Sequence, residues 1–304
     1  MFESPIVLDP QANRATPRDY LRAARPHQWA KNLLIFVPVA TSHRLEAAVL
    51  ANTLLATLCF CLAASGAYIL NDLLDLAADR AHPVKRHRPF AAGLIPASHG
   101  WSLAAALLTV AGATSLRLPG GVAAVLAVYV AATLAYSLRF KREMVIDVVI
   151  LSGLYVVRVV AGTYAAGTAR SPWLLMFCMF LFLSLALVKR CSELVMVRDR
   201  GGTQVGGRGY RVADLPAITA LAAAAGYGAA MVFALYLSSP EMARLYRTPE
   251  LLWAACPILL AWISRVILLS TRGELHHDPV VFALTDRVSL LTGLAFAAVV
   301  VVAI

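Results

Sequence analysis

Charge is what this chain has least of. Only 14% of its 304 residues are Asp, Glu, Lys or Arg, and 60% are hydrophobic. A soluble domain of this length would carry about 25% charged residues. The mean hydropathy of +0.72 points the same way. Several apolar stretches approach the roughly 20 residues needed to cross a bilayer, which predicts a polytopic all-α membrane protein. Alternating segments of about ten residues, the mark of a transmembrane β-barrel, are missing. Acidic residues are scarcer than basic ones, 17 against 27, so the net charge is +10.

Cysteine is also sparse. Cys59, Cys61, Cys178, Cys191 and Cys256 lie in or beside apolar runs with no C-x-x-C spacing. A disulfide framework and a thiolate zinc site are therefore excluded, and small buried thiols remain. No P-loop, G-x-S-x-G, H-E-x-x-H or dinucleotide fingerprint occurs, so hydrolytic triads and NAD chemistry have no support. Residues 1–30 lack the apolar core of a cleavable signal peptide. They read as a polar, cytoplasmic segment over 1–24 that holds a short helix opened by Thr16, Pro17 and Asp19.

Nine spans are predicted within one domain covering 1–304: roughly 25–42, 46–70, 97–117, 120–138, 143–167, 171–195, 214–238, 250–270 and 287–304. With the N-terminus cytoplasmic, twenty Lys and Arg fall on that side and five on the other, with Arg158 and Arg265 inside spans. This asymmetry follows the positive-inside rule and supports a multi-pass protein of a bacterial plasma membrane. Basic residues in short loops suit anionic lipid or a phosphorylated substrate, not nucleic acid. The longer cytoplasmic loops hold nearly all the unusual polar residues, so a site opens to the cytoplasm. The glycine-rich loop 199–213 reads as flexible, either a lid or a solvated connector.

Asn71, Asp72, Asp75, Asp79 and Arg80 close the second apolar run. If that helix continues, Asp72, Asp75 and Asp79 share one face within two turns. Three carboxylates so close need a positive partner, and Mg²⁺ held by carboxylates and a substrate phosphate is the natural one. Pro83 is predicted to end the helix, and Lys85, Arg86 and Arg88 follow at once. Carboxylates beside cations are the two halves of a Mg²⁺–diphosphate site. The bland alternative is a salt-bridged surface loop.

Other polar groups interrupt the spans. Arg25, His27, Gln28, Lys31 and Asn32 crowd the first. They face a polar cavity or, for Arg25 and Lys31, snorkel to the headgroups. Arg139, Lys141 and Arg142 precede Asp147, which either pairs with a Lys or Arg, Arg158 being on about the same face, or faces the cavity. Lys189, Arg190 and Glu193 end a long span; Arg190 and Glu193 form an i, i+3 ion pair, or the two cations meet a phosphate. His276, His277 and Asp278 are adjacent on the chain and so chelate zinc poorly.

The acidic run Asn71–Arg80 resembles the first aspartate-rich motif of the UbiA superfamily of intramembrane prenyltransferases, and the stretches Arg25–Asn32, His82–Gly93 and Asp278–Arg287 bear on the branch within it. The resemblance covers nearly the whole chain and implies nine transmembrane helices around a central cavity open to the cytoplasm, with Mg²⁺ handling a diphosphate. The usual second D-x-x-x-D motif is replaced by Lys189, Arg190 and Glu193. In that respect the chain is similar to the decaprenyl-phosphate phosphoribosyltransferase branch. That branch moves 5-phosphoribose from phosphoribosyl diphosphate (PRPP) to a polyprenyl monophosphate such as decaprenyl phosphate, for cell-wall arabinan synthesis.

The resemblance implies that Asp72, Asp75 and Asp79, with Asn71, hold Mg²⁺ on the donor's diphosphate. Lys31, Lys85 and Arg88 then take charge on the leaving group or lipid phosphate. Lys189 and Arg190 hold the 5-phosphate, Arg142 contacts substrate, and Asp147 positions a ribose hydroxyl. The alternatives are an aromatic prenyltransferase of the same fold and a transporter or lipid-binding protein. Charges gathered at one membrane face argue against transport. Gly162 and Gly167 permit close helix packing within a chain or in a homo-oligomer.

Overall fold

The computed structural model describes residues 15–82, 84–239, 242–275 and 278–304, the side chains of 243 and 244 aside. Most of the N-terminal tail, Pro83, His276 and His277 lie outside the described residues, and with them the readings made there.

The chain is all-α. Among the described residues there is no strand, only an isolated bridge between Gln204 and Arg211. Helix α1 (Pro17–Ala24) opens as its sequence predicts: the Asp19 carboxylate accepts from the Thr16 amide at 3.0 Å and from its hydroxyl at 2.6 Å. Arg25 ends α1 in the left-handed conformation, at φ 52°. That conformation is uncommon for a residue with a Cβ. The reversal starts a new segment and turns the Arg25 side chain toward the acidic cluster.

The first expected span, 25–42, is not one α-helix. It is a 3₁₀ helix, Pro26–Phe36, followed by α2 (Val37–Ser42). Pro26 and Pro38 remove two amide donors from it. An eleven-residue 3₁₀ run is long for that geometry. The segment is held by close approach to α7 (Ile146–Ala166), where a Cβ on Gly162 would lie 2.1 Å from the Ile35 carbonyl oxygen.

The remaining helices are α3 (Ala47–Leu74), α4 (Leu76–Ala81), α5 (Ala97–Ser115), α6 (Val122–Leu138), α8 (Pro172–Asp199), α9 (Leu215–Leu237), α10 (Met242–Leu245), α11 (Ala255–Thr271), α12 (Pro279–Thr285) and α13 (Arg287–Ala303). Among the described residues, five helical stretches are long and apolar enough to cross a membrane: 47–74, 146–166, 172–199, 212–237 and 249–271. A sixth is counted if α12 and α13, bent by 79°, form one broken span. Helix α6 is apolar but shorter. The last expected span, 287–304, is thus the straight half of a bent pair.

Helix α3 packs along α5, α8 along α9, and α7 against α8, α6 and the 3₁₀ helix. Gly167, left-handed at φ 62°, ends α7, and Ser171 and Pro172 start α8, so the two helices join by a tight turn. Helix α7 is the seam of the core. Its Val148 and Val159 join a cluster with Phe182, Leu194 and Ile263; its Leu154 and Ala161 join another with Phe60 and Tyr129. Outward positions such as Leu54, Leu291 and Val301 stay exposed, a surface suited to hydrocarbon.

Replacing Gly162 with Ala should force α7 away from Ile35 and destabilise the protein by about 1–3 kcal/mol. Gly153→Ala, where a Cβ meets nothing within 4 Å, should be neutral or stabilising. Thermal denaturation in detergent compares the two.

Candidate functional site

The acidic cluster sits where α3 stops. Contrary to the expected continuous helix, the chain breaks at Asp75 (φ −90°, ψ 8°) and restarts as α4. The break separates the acids. Asp75 turns to Lys141, with Nζ 2.6 Å from Oδ2. Asp72 and Asp79 converge instead on Arg88, whose Nη1 lies 3.1 Å from Asp72 Oδ1 and 2.6 Å from Asp79 Oδ2. Arg25 adds two bonds to Asp72, at 2.6 and 2.9 Å. Asp72 and Asp79 are each only 2% exposed. Carboxylates this buried need full compensation, and Arg25 and Arg88, from two other segments, supply it.

The positive charge between the acids is therefore guanidinium and ammonium. Among the described residues no three His, Cys, Asp or Glu side chains are gathered as a metal cage. The donor chemistry still fits a hard divalent cation, since three carboxylates and the Asn71 amide are all oxygen ligands. As they stand, Asp72 and Asp79 are engaged by Arg88 and Asp75 by Lys141. Lys85 and Arg142 are exposed and have no ion partner among the described residues.

A second charged group lies deeper. Lys31 of the 3₁₀ helix and Lys189 of α8 each place Nζ 3.0 Å from the same atom, Asp278 Oδ2. Burial alone would raise the Asp278 carboxyl, but Lys189 and Lys31 outweigh it and hold the group well below the usual carboxylate range. Leu151, Tyr155, Leu185 and Val280 line the same pocket.

Arg190 does not accompany Lys189. It is 1% exposed, bonded to Glu193, with Nε 2.9 Å from Asp147 Oδ2. That last contact is close but off-axis, a charge contact without hydrogen-bond alignment. Asp147 is fully buried and accepts from Tyr210 Oη at 2.5 Å. Arg208 approaches Asp147 at 3.6 Å and donates to Tyr136 Oη at 2.8 Å. Burial, then the bond to Asp147, raise the Tyr210 phenol well above its ordinary range, so it stays a donor. Arg190 thus lies in an internal network with Glu193, the i, i+3 pair offered by the sequence, and Asp147 takes the paired alternative, with Arg190 as its partner instead of Arg158.

The expected flexibility of loop 199–213 also fails in its second half. Tyr210 is 3% exposed and accepts from the Val145 amide at 2.9 Å. A Cβ on Gly209 would meet the Arg142 carbonyl oxygen at 2.9 Å. Val145 itself holds φ 68°, a strained conformation for a β-branched residue. The loop thus clamps the 140–145 turn that presents Lys141 to Asp75.

Arg158 donates to Asn32 Oδ1, Tyr129 Oη and the Leu154 carbonyl. It lies over the rings of Tyr129 and Tyr155, at 4.6 and 5.7 Å. Asp278, which the sequence offers as a residue that orders its loop or approaches the site, lies in the two-lysine pocket. Arg25 and Lys141 stand in polar groups visible in the sequence but not assigned there to the site, and Tyr210 carries no signal beyond its place among glycines.

The UbiA prenyltransferase family matches residues 34–285. The chain belongs to that family. It is 36% identical over 278 residues to nodulation protein NoeC of Azorhizobium caulinodans, covering 91% of each chain. It is 40% identical over 300 residues to the uncharacterized protein y4nM of Sinorhizobium fredii, spanning 98% of this chain and 58% of that one. A decaprenyl-phosphate phosphoribosyltransferase of Mycolicibacterium smegmatis is 40% identical over 186 residues, which are 60% of this chain and 58% of that one. The fold matches a UbiA homologue of Archaeoglobus fulgidus bound to DMAPP and Mg²⁺, with a TM-score of 0.70 and 19% identity. That match covers 93% of this chain and 99% of that one. The chain is therefore an integral membrane protein of the UbiA fold.

Asp147→Asn leaves Arg190 with one fewer buried counter-charge and should cost about 3–5 kcal/mol. Adding Arg190→Met should recover much of that loss. A double-mutant cycle on thermal denaturation reads the coupling.

Proposed function

We propose that this protein transfers 5-phosphoribose from PRPP to a polyprenyl monophosphate, decaprenyl phosphate in the branch it resembles, and releases diphosphate. The observation that carries the reading is the pair of sites: carboxylates capped by Arg25, Arg88 and Lys141, and a separate two-lysine pocket where the family pattern has a second acidic motif. A donor diphosphate suits the first. The second suits a phosphate that arrives without its own metal.

In this reading residues 1–304 form one domain of nine transmembrane helices around a cavity open to the cytoplasm, in a bacterial plasma membrane. Asp72, Asp75 and Asp79, with Asn71, would hold Mg²⁺, which neutralises diphosphate charge when bound. Arg25, Arg88 and Lys141 turn from the acids to the diphosphate oxygens as these enter. Lys85 and Arg142, exposed at the rim, meet the soluble donor first. An oxygen of the lipid phosphate forms a bond to the anomeric carbon while the bond from that carbon to the diphosphate breaks. The nucleophile is already anionic, so no general base is needed. Arg190 and Asp147 fix the helices that carry Lys189 and Lys141. Use of the product in cell-wall arabinan synthesis belongs to the same proposal.

Purified protein given labelled PRPP, Mg²⁺ and decaprenyl phosphate should move label into the lipid fraction. Asp75→Ala or Asp79→Ala should slow transfer about a hundredfold or more. Label moving only from a polyprenyl diphosphate to an aromatic acid would replace this reading with prenyl transfer.

A further inference from the structure

We infer that Lys31 and Lys189 form a binding site for one phosphate monoester, and that Asp278 fills it as a stand-in anion which the ligand displaces. The inference deepens the phosphoribosyl-transfer reading, because both substrates of that reaction carry a monoester.

Two ammonium groups from elements far apart in sequence converge on one carboxylate oxygen. Side-chain exposure is 11% for Lys31 and 14% for Asp278, so solvent screens that pair little, while Lys189, at 35%, reaches solvent. Two like charges held together repel unless an anion bridges them, and a single carboxylate leaves one positive charge in excess. Arg158 adds another against the same Tyr155 ring, and its hydrogen-bond partners are all neutral. A phosphate monoester carries about −1.5 to −2 at pH 7. It balances both lysines, where a carboxylate balances one.

The shared oxygen points to displacement, not addition: a phosphoryl group that takes both ammonium groups takes the place of the one carboxylate oxygen they hold. Asp278 is able to yield it. Both lysines hold Oδ2, whereas Oδ1 accepts from the Val280 amide at 3.1 Å and tethers the side chain separately. The residue precedes α12, a seven-residue helix bent by 79° from α13. Leu151, Leu185 and Val280 form apolar walls on which the ester's remaining chain can lie.

The test uses full-length protein in nanodiscs, as wild type, Asp278→Asn and Lys189→Met, titrated calorimetrically with farnesyl monophosphate and with ribose 5-phosphate. Asp278→Asn should tighten at least one probe about tenfold, and Lys189→Met should weaken that probe by about as much. The probe that responds names the source: the lipid, the sugar, or both. Weaker or unchanged binding of both probes to Asp278→Asn would overturn the inference, since a ligand-contacting or purely structural Asp278 predicts it. If Asp278→Asn does not fold, Lys189→Met decides alone, and unchanged binding of both probes overturns the inference. Neither titration turns over substrate. A preparation that binds as expected yet fails to move phosphoribose refutes the reaction and leaves this site standing.

Discussion

Asp72, held between Arg25 and Arg88, is the contact on which the site depends. A carboxylate 2% exposed near the end of an apolar helix is tolerated only with its charge cancelled. Cancelling it recruits the residue that ends α1, the last turns of α3 and the loop after α4. Arg88 then reaches Asp79, and the break at Asp75 frees that residue for Lys141. That electrostatic demand acts beside a small apolar cluster, Ala23, Ile69, Leu73 and Phe90, which packs α1, α3 and the loop after α4 together.

The same logic recurs deeper in the bundle. Asp147 and Glu193 cancel Arg190, and Asp278 cancels part of the charge on Lys31 and Lys189. Where compensation is complete and fully buried, as at Asp147, the group is structural. Where it is partial or reaches solvent, as at Asp75, Arg88 and Lys189, an incoming anion can compete for the cation. The division between scaffold and site follows from burial and charge count, not from residue type.

Much of this was legible in the sequence. Apolar runs of about twenty residues set the long helices, because only a helix satisfies its backbone inside hydrocarbon. The capping box at Thr16 and Asp19 and the acidic cluster could be read directly. The first span could not. Its own Ile35 carbonyl lies against Gly162, on a helix more than a hundred residues away, a contact that local sequence does not announce. The break at Asp75 was hidden for a related reason: helical spacing puts three acids on one face, but Lys141 lies on another segment. Arg190 parts from Lys189 because adjacent residues on a helix point about 100° apart, so the two share no face. Tyr210 lay in a stretch whose glycines signal freedom, and its order comes from Asp147.

The central claim is that the acids are already neutralised by the protein's own cations, so a divalent ion enters together with the diphosphate that draws those cations away. Calorimetric titration of Mg²⁺ into the purified protein, with and without inorganic diphosphate, tests it most directly. Mg²⁺ alone should bind weakly, and diphosphate should tighten it about tenfold or more through the coupling between the two. Tight Mg²⁺ binding without diphosphate, unchanged when diphosphate is added, would contradict the account.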